Sequence, residues 1–321
     1  KRLGIDFPLI PKRVWTVLKF LIPLFLYRLA QVLVGIIVHP ATVRSYFLSK
    51  DLRKCRGSQI GFLRGYSLTR FSVCSATGHR IDAVFAKREE AKREAGNDEY
   101  ARCLLVSHGN GMFYEQLILN KGIRSLADSL KSDILFYNYA GTGGSSGWFP
   151  NRDAMVASHQ AMHEVLEKIG TKKIFDFGWS IGGGVKWSSH FEYPKKGEID
   201  VIDYQTFSSL ASVAREDLGS VGEFLIRFLG WNYDSEEALK TFRGKHLIVQ
   251  RGDPEMSEVV HDGVISSAVA LANKTNIKKR KVILTEGVHG APISSSTATE
   301  VAAKLCPADR KDLSSIIKTN I

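Results

Sequence analysis

Few backbones can accommodate Gly178-Trp179-Ser180-Ile181-Gly182, and that stretch constrains this chain more than any other. It has the form G-x-S-x-G. Lys173 to Phe177 before it reads as a short buried strand, and Gly183 to Phe191 after it can run on as a helix. A strand-to-helix turn this tight holds its serine at strained backbone angles and lifts the hydroxyl clear of the sheet. Side chains two residues before and two after would collide, so both positions want glycine. Ser180 is the candidate nucleophile, and the amide of Ile181, at a helix N-terminus, faces any oxyanion that forms. A glycine-rich turn without chemical duty is the plain alternative, which the rest of the chain must decide.

With 321 residues, 44% hydrophobic and 24% charged, the chain can bury a sizeable core and is not disordered. One large α/β domain is expected after an apolar N-terminal stretch, dividing the chain into a helical segment, 1–60, and a main domain, 61–321. A net charge of +11 favours an acidic partner. No zinc-finger spacing, RNP-like aromatic motif or heptad run is present, so an anionic membrane surface is expected and nucleic acid is not. Cys55, Cys74, Cys103 and Cys306 are widely spaced without a C-x-x-C pair. They read as free thiols in a reducing compartment, with no metal site among them.

The sequence opens at Lys1, so a start or targeting segment is expected to precede it. Val14 to Val38 is its most apolar stretch, interrupted by Lys19, Pro23, Arg28 and Gln31. Arg28 near the middle costs about 3 kcal/mol on an insertion scale, which makes spanning a bilayer marginal. Lys19 and Arg28 fall on opposite sides of a continuous helix at about 100° per residue, so one polar face requires a break at Pro23. Basic residues flank both ends. Helices lying in an anionic interface are expected, with packing on the main domain as the alternative.

From Gly65 the texture changes. Tyr66 to Ala76 and Arg80 to Ala86 alternate like two antiparallel strands joined at Thr77-Gly78-His79, and the mixed-charge run Lys87 to Arg102 suits a solvated loop. The strand Leu104 to Ser107 runs into His108-Gly109-Asn110-Gly111, where a serine hydrolase would place its second oxyanion donor; the Asn110 amide is the candidate. His108 is expected to order that loop. The glycine cluster Gly141 to Gly147 departs from nucleotide loops at Ser146 and lacks a Lys-Ser or Lys-Thr pair. Strands and helices then alternate to the end, the mark of a mostly parallel sheet covered by helices on both faces, with the antiparallel strands at its N-terminal edge.

Two strand ends supply partners for the serine. His246 to Gln250 leads to Arg251-Gly252-Asp253, and Lys281 to Thr285 leads to Glu286-Gly287-Val288-His289. The order Ser180, Asp253, His289 is that of a serine-acid-histidine triad in an α/β sheet. His289 would take the serine proton and Asp253 would fix its tautomer. Glu255 remains an alternative acid, and Glu258 and Asp262 crowd the same loop.

With these residues in place the chain resembles an α/β-hydrolase from about residue 65 onward, and is most similar to the chlamydial CHLPS group of hydrolases, which includes Legionella SidB-like effectors. The resemblance rests on His108 to Gly111, Asn138 to Gly143, Gly178 to Gly182, Asp203 to Leu210 and Gly287 to His289. It implies hydrolysis of esters or thioesters, often of lipids, without metal or organic cofactor, on the reducing side of a membrane or as a secreted effector. A lipase or lysophospholipase activity is expected, with a silent membrane adaptor or an acyltransferase as alternatives. Phe224, Leu225, Phe228, Trp231 and Tyr233 could line an acyl pocket, although core is the safer expectation.

Overall fold

The computed structural model describes residues 12–47, 52, 63–89, 101–148, 151–193, 197–253, 255, 258–274 and 282–307. Helices α1 (Lys12–Val38) and α2 (Ala41–Phe47) precede the hairpin β1 (Tyr66–Cys74) and β2 (Arg80–Arg88). Then follow β3 (Arg102–Ser107), α3 (Tyr114–Leu117), α4 (Lys121–Ser129), β4 (Asp133–Tyr137), α5 (Arg152–Lys168), β5 (Lys173–Trp179), α6 (Ile181–Glu192) and β6 (Glu198–Tyr204). The chain continues through α7 (Leu210–Phe228), α8 (Ser235–Thr241), β7 (His246–Asp253), β8 (Glu258–Val259), α9 (Leu271–Lys274), β9 (Val282–Thr285) and α10 (Ser295–Leu305).

The described strands form a nine-stranded sheet in the order β1-β2-β4-β3-β5-β6-β7, with β9 and the short β8 both pairing β7. From β4 through β3, β5, β6 and β7 to β9 every pairing is parallel, while β1 with β2 and β2 with β4 are antiparallel. The expected α/β architecture and its antiparallel edge are therefore present. Parallel strands need cover on both faces, and β3 and β4 are accordingly almost wholly buried. Phe175, Phe177 and Trp179 join the core under α4 and α10, whereas Ile174 joins the opposite core beneath α5 and α6. Side-chain caps at Asn120, Asn151 and Ser294 start α4, α5 and α10, each worth about 1 kcal/mol.

In the N-terminal arm α1 continues through Pro23, so the break that a single polar face would require is absent. The helix packs on the end of α7 and the residues after it. Tyr27 stacks edge-on against Phe228 at 5.7 Å, Gln31 Nε2 donates to the Leu229 carbonyl at 2.9 Å, and Trp231 Nε1 donates to the Gln31 carbonyl at 3.0 Å. Glycine is required at Gly35, since a Cβ there would come within 2.7 Å of Trp231 Cζ2. None of the described helices is long and apolar enough to cross a membrane. The charged loop expected between β2 and β3 falls largely on residues 90–100, outside the described residues.

Helix α7 breaks at Gly219, whose φ of 68° and ψ of −160° lie outside the helical region. Of the apolar residues considered for a pocket, Trp231 and Tyr233 are core, but Phe224, Leu225 and Phe228 are exposed. Among the described cysteines none forms a disulfide.

Candidate active site

Strand β5 delivers the serine. Ser180 follows Trp179 with φ 53° and ψ −119°, a conformation a side chain adopts only where its surroundings enforce it. The flanking glycines are enforced by contact. A Cβ on Gly178 would lie 2.7 Å from Gly183 Cα, and one on Gly182 would lie 2.3 Å from the Ser107 carbonyl oxygen. Thr206, just beyond β6, braces the turn by donating its hydroxyl to the Ser180 carbonyl at 2.9 Å.

His289 Nε2 stands 3.0 Å from Ser180 Oγ. Its Nδ1 meets Oδ2 of Asp262 at 2.9 Å. The structure thus brings Ser180 and His289 together, but it corrects the acid: neither Asp253 nor Glu255 reaches the imidazole. Asp253 closes β7 and accepts the Glu255 amide at 2.9 Å, and Glu255 is exposed on the following turn. Asp262 lies deeper in the same connection with its side chain fully buried. Its Oδ1 accepts the amides of Val264 and Ile265 at 3.0 and 2.7 Å, and Gln250 Nε2 donates to Oδ2 at 3.3 Å. Burial pushes this carboxyl up, yet the bonds from His289 and those amides hold it below the ordinary carboxylate range. It remains an anion facing the ring, as a tautomer-fixing acid must.

A residue missed in the sequence positions the histidine loop. Gln205 is buried at φ 49°, donates Nε2 to the carbonyls of Gly287 and Val288 at 2.8 and 3.1 Å, and accepts the Gly290 amide at 3.2 Å. Tyr204 adds a bond from its hydroxyl to the Ala291 carbonyl at 2.9 Å. Tyr204 ends β6 and Gln205 follows it, beside the elbow strand, so the pairing of β5 with β6 helps set the distance between serine and histidine.

Ile181 opens α6, which places its amide at the helix N-terminus next to Ser180. The loop after β3 lies on the other side: a Cβ on Gly109 would meet Ser180 Cβ at 3.6 Å, and Asn110 is exposed beyond it. His108 is buried, bonds through Nδ1 to the Gly109 carbonyl at 3.0 Å, and its own carbonyl accepts the Tyr139 hydroxyl at 3.1 Å. Burial lowers it to about 4, so it is a neutral ring that shapes the loop. The arm reaches this loop too, with Arg44 Nη1 donating to the Gly111 carbonyl at 2.7 Å and His39 stacked on His108 at 6.0 Å. A serine whose proton has an acceptor, an acid behind that acceptor and a helix N-terminus beside it is suited to acyl transfer.

Solved structures share this architecture at low identity. An esterase of Pyrococcus furiosus superposes with a TM-score of 0.54 at 10% identity, covering 75% of this chain and 90% of that one. An esterase of Pyrobaculum calidifontis gives 0.51 at 13% over 84% and 93%, and an alpha-beta hydrolase of Vibrio vulnificus gives 0.50 at 13% over 83% and 85%. At such identities the likeness establishes the α/β-hydrolase fold. No curated protein matches the sequence. The family described as Chlamydia CHLPS protein (DUF818) matches residues 10–308, and by that match the chain belongs to the CHLPS family.

Proposed function

We propose that this chain is a serine hydrolase that cleaves carboxylic esters or thioesters of lipid-like acyl groups at an anionic membrane surface. The observation behind the chemistry is the continuous relay from Ser180 Oγ through His289 to Asp262, with contacts of 3.0 and 2.9 Å. His289 Nε2 accepts the serine proton as Oγ attacks the acyl carbon. Charge on the carbonyl oxygen falls to the amides of Ile181 and, from the facing loop, Asn110. The protonated ring then gives its proton to the departing alcohol or thiol, and water repeats the sequence on the acyl-enzyme. A silent adaptor would have no need of a histidine turned onto an otherwise strained serine.

The membrane part of the reading is supported by an unusual surface. Phe25, Leu29, Leu33 and Ile37 on α1 and Phe224 and Phe228 on α7 are all exposed, and Tyr27 joins the two helices at Phe228. Exposed apolar side chains on two helices that touch, on a chain of net charge +11, suit an anionic bilayer.

A fluorophosphonate probe tests the chemistry, with labelling expected at Ser180 and lost in Ser180→Ala. Turnover should fall roughly a millionfold in that variant. An unlabelled folded protein would refute the hydrolase. Flotation with phosphatidylserine vesicles tests the location: Phe25→Glu with Phe224→Glu should abolish flotation while hydrolysis of a short soluble ester persists.

A further inference from the structure

The relay uses a half-buried histidine in the loop after β9, and a second cluster of histidines lies on the face of β5 that packs under α5 and α6. Asp176 sits there, four residues before the serine, with its side chain wholly buried. Three imidazoles converge on its carboxylate. His159 Nε2 lies 3.2 Å from Oδ1, while His163 Nε2 and His190 Nε2 lie 3.0 and 2.7 Å from Oδ2. His159 and His163 are one turn apart on α5, and His190 is on the last turn of α6. The three side chains are between 0% and 6% exposed, so this is no solvated patch.

Charge makes the arrangement informative. A buried carboxylate requires a counter-charge or donors that replace water. The nearest lysine is committed elsewhere: Lys186 Nζ pairs with Asp203 Oδ1 at 2.8 Å and reaches only the backbone carbonyl of Asp176, at 3.4 Å. Among the described residues, the ion-pair partners of the Asp176 carboxylate are imidazoles alone.

Geometry matches a metal as well. One ligating atom from each of His159, His163 and Asp176 falls within 4.8 Å of the others. Ligands at about 2.0–2.1 Å around a tetrahedral zinc ion are about 3.3 Å apart, and the two α5 imidazoles stand 3.2 and 3.0 Å from the Asp176 oxygens that they face. We propose that His159, His163 and Asp176 form the core of a buried site for a divalent transition-metal ion of the zinc class, which His190, hydrogen-bonded to Asp176 here, completes as fourth ligand by turning from that carboxylate to the ion. Three imidazoles and a carboxylate, with no thiolate, suit zinc and its neighbours and not magnesium or calcium. Filled by four protein ligands, the site has no open position, and its role is structural. It clamps β5 to the helices on either side in sequence, the elements that make the elbow. Spacing among the cysteines pointed to no metal; the donors are histidines.

The test is metal analysis of the full-length protein, purified without an affinity metal and dialysed. About one zinc equivalent per chain is expected. Chelation should lower the melting temperature, and ZnCl2 alone should restore it. Cobalt(II) should give the intense visible bands of a tetrahedral site, which a hydrogen-bonded cluster cannot produce. His163→Ala and His190→Ala should each lose the bands; should either variant fail to fold, titration of the chelated wild type decides. Absence of stoichiometric metal, of cobalt bands and of any zinc effect on melting would overturn the proposal and leave an imidazole–carboxylate cluster. Bands that persist in folded His163→Ala and His190→Ala would overturn it equally, by placing the ion elsewhere.

Discussion

Asp262 holds His289 by two bonds, its carbonyl accepting the His289 amide at 2.6 Å and its Oδ2 meeting Nδ1 at 2.9 Å. Backbone and side chain of one residue thus fix both the position of the histidine loop and the orientation of the ring. Asp253, at the end of β7, does neither.

Asp262→Asn should therefore lower kcat by about 10,000-fold, the effect of leaving the ring in the wrong tautomer. Asp253→Asn and Glu255→Gln should stay within a few-fold of the parent on a p-nitrophenyl ester. A large loss in Asp253→Asn with Asp262→Asn active would contradict the geometry.

Gln205→Leu is expected to act through the histidine. The change leaves the carbonyls of Gly287 and Val288 without their buried donor, at a cost of about 1–3 kcal/mol. Displacing His289 by an ångström should lower kcat about 100-fold while KM for a small ester holds. Denaturant unfolding and steady-state kinetics on the same preparation separate the two effects, and an unchanged kcat would remove Gln205 from the positioning role.

Gly182→Ala should disrupt more than its one methyl suggests. The added carbon would sit 2.3 Å from the Ser107 carbonyl oxygen, which belongs to the central strand β3 and cannot yield. Overpacking of this kind costs about 1–3 kcal/mol. Gly109→Ala, whose nearest contact would be 3.4 Å, should be far milder. Thermal melting of the pair ranks them directly.

Two buried rings behind the loop make the fold acid-sensitive. Burial, aided by His108, lowers His39 to about 3, and burial lowers His108 itself to about 4. In an unfolded chain both titrate near 6.5, so between about 6.5 and those folded values the unfolded state binds more protons. Stability is present at neutral pH and lost as pH falls, by about 2 kcal/mol per ring at pH 5. His39→Leu should reduce the difference in urea midpoint between pH 7 and pH 5. An unchanged difference would show that His39 does not stay neutral in the fold.

Local spacing made the elbow readable from sequence, because the glycines at 178 and 182 and the strand before them meet constraints within a few residues. His289 was legible for a similar reason, as a histidine just past a strand end. The acid was not: β7 and β9 are joined by a long connection carrying several carboxylates, and what selects Asp262 is a turn in which Oδ1 accepts two successive amides. The dipeptide Asp262-Gly263 was the available sign, with Gly263 at φ 103°. Gln205 offered none, since its positive φ arises from packing beneath the histidine loop. For the cluster on Asp176, His159 and His163 at i and i+4 on one helix were visible, but His190 and Asp176 join them only through the pairing of α5, β5 and α6.

Helix α2 gives the arm a mechanical character. Besides Arg44 on the Gly111 carbonyl, Ser45 Oγ accepts the Gly143 amide at 2.9 Å, and Ala41 packs with Leu52 around a fully buried Phe113. Residues 35–47 therefore serve as a wall of the catalytic loop and not as a leash to it. Trimming them away would strip buttresses from two loops at once and lay Phe113 open to water, so a shortened chain that lost turnover would say nothing about membranes.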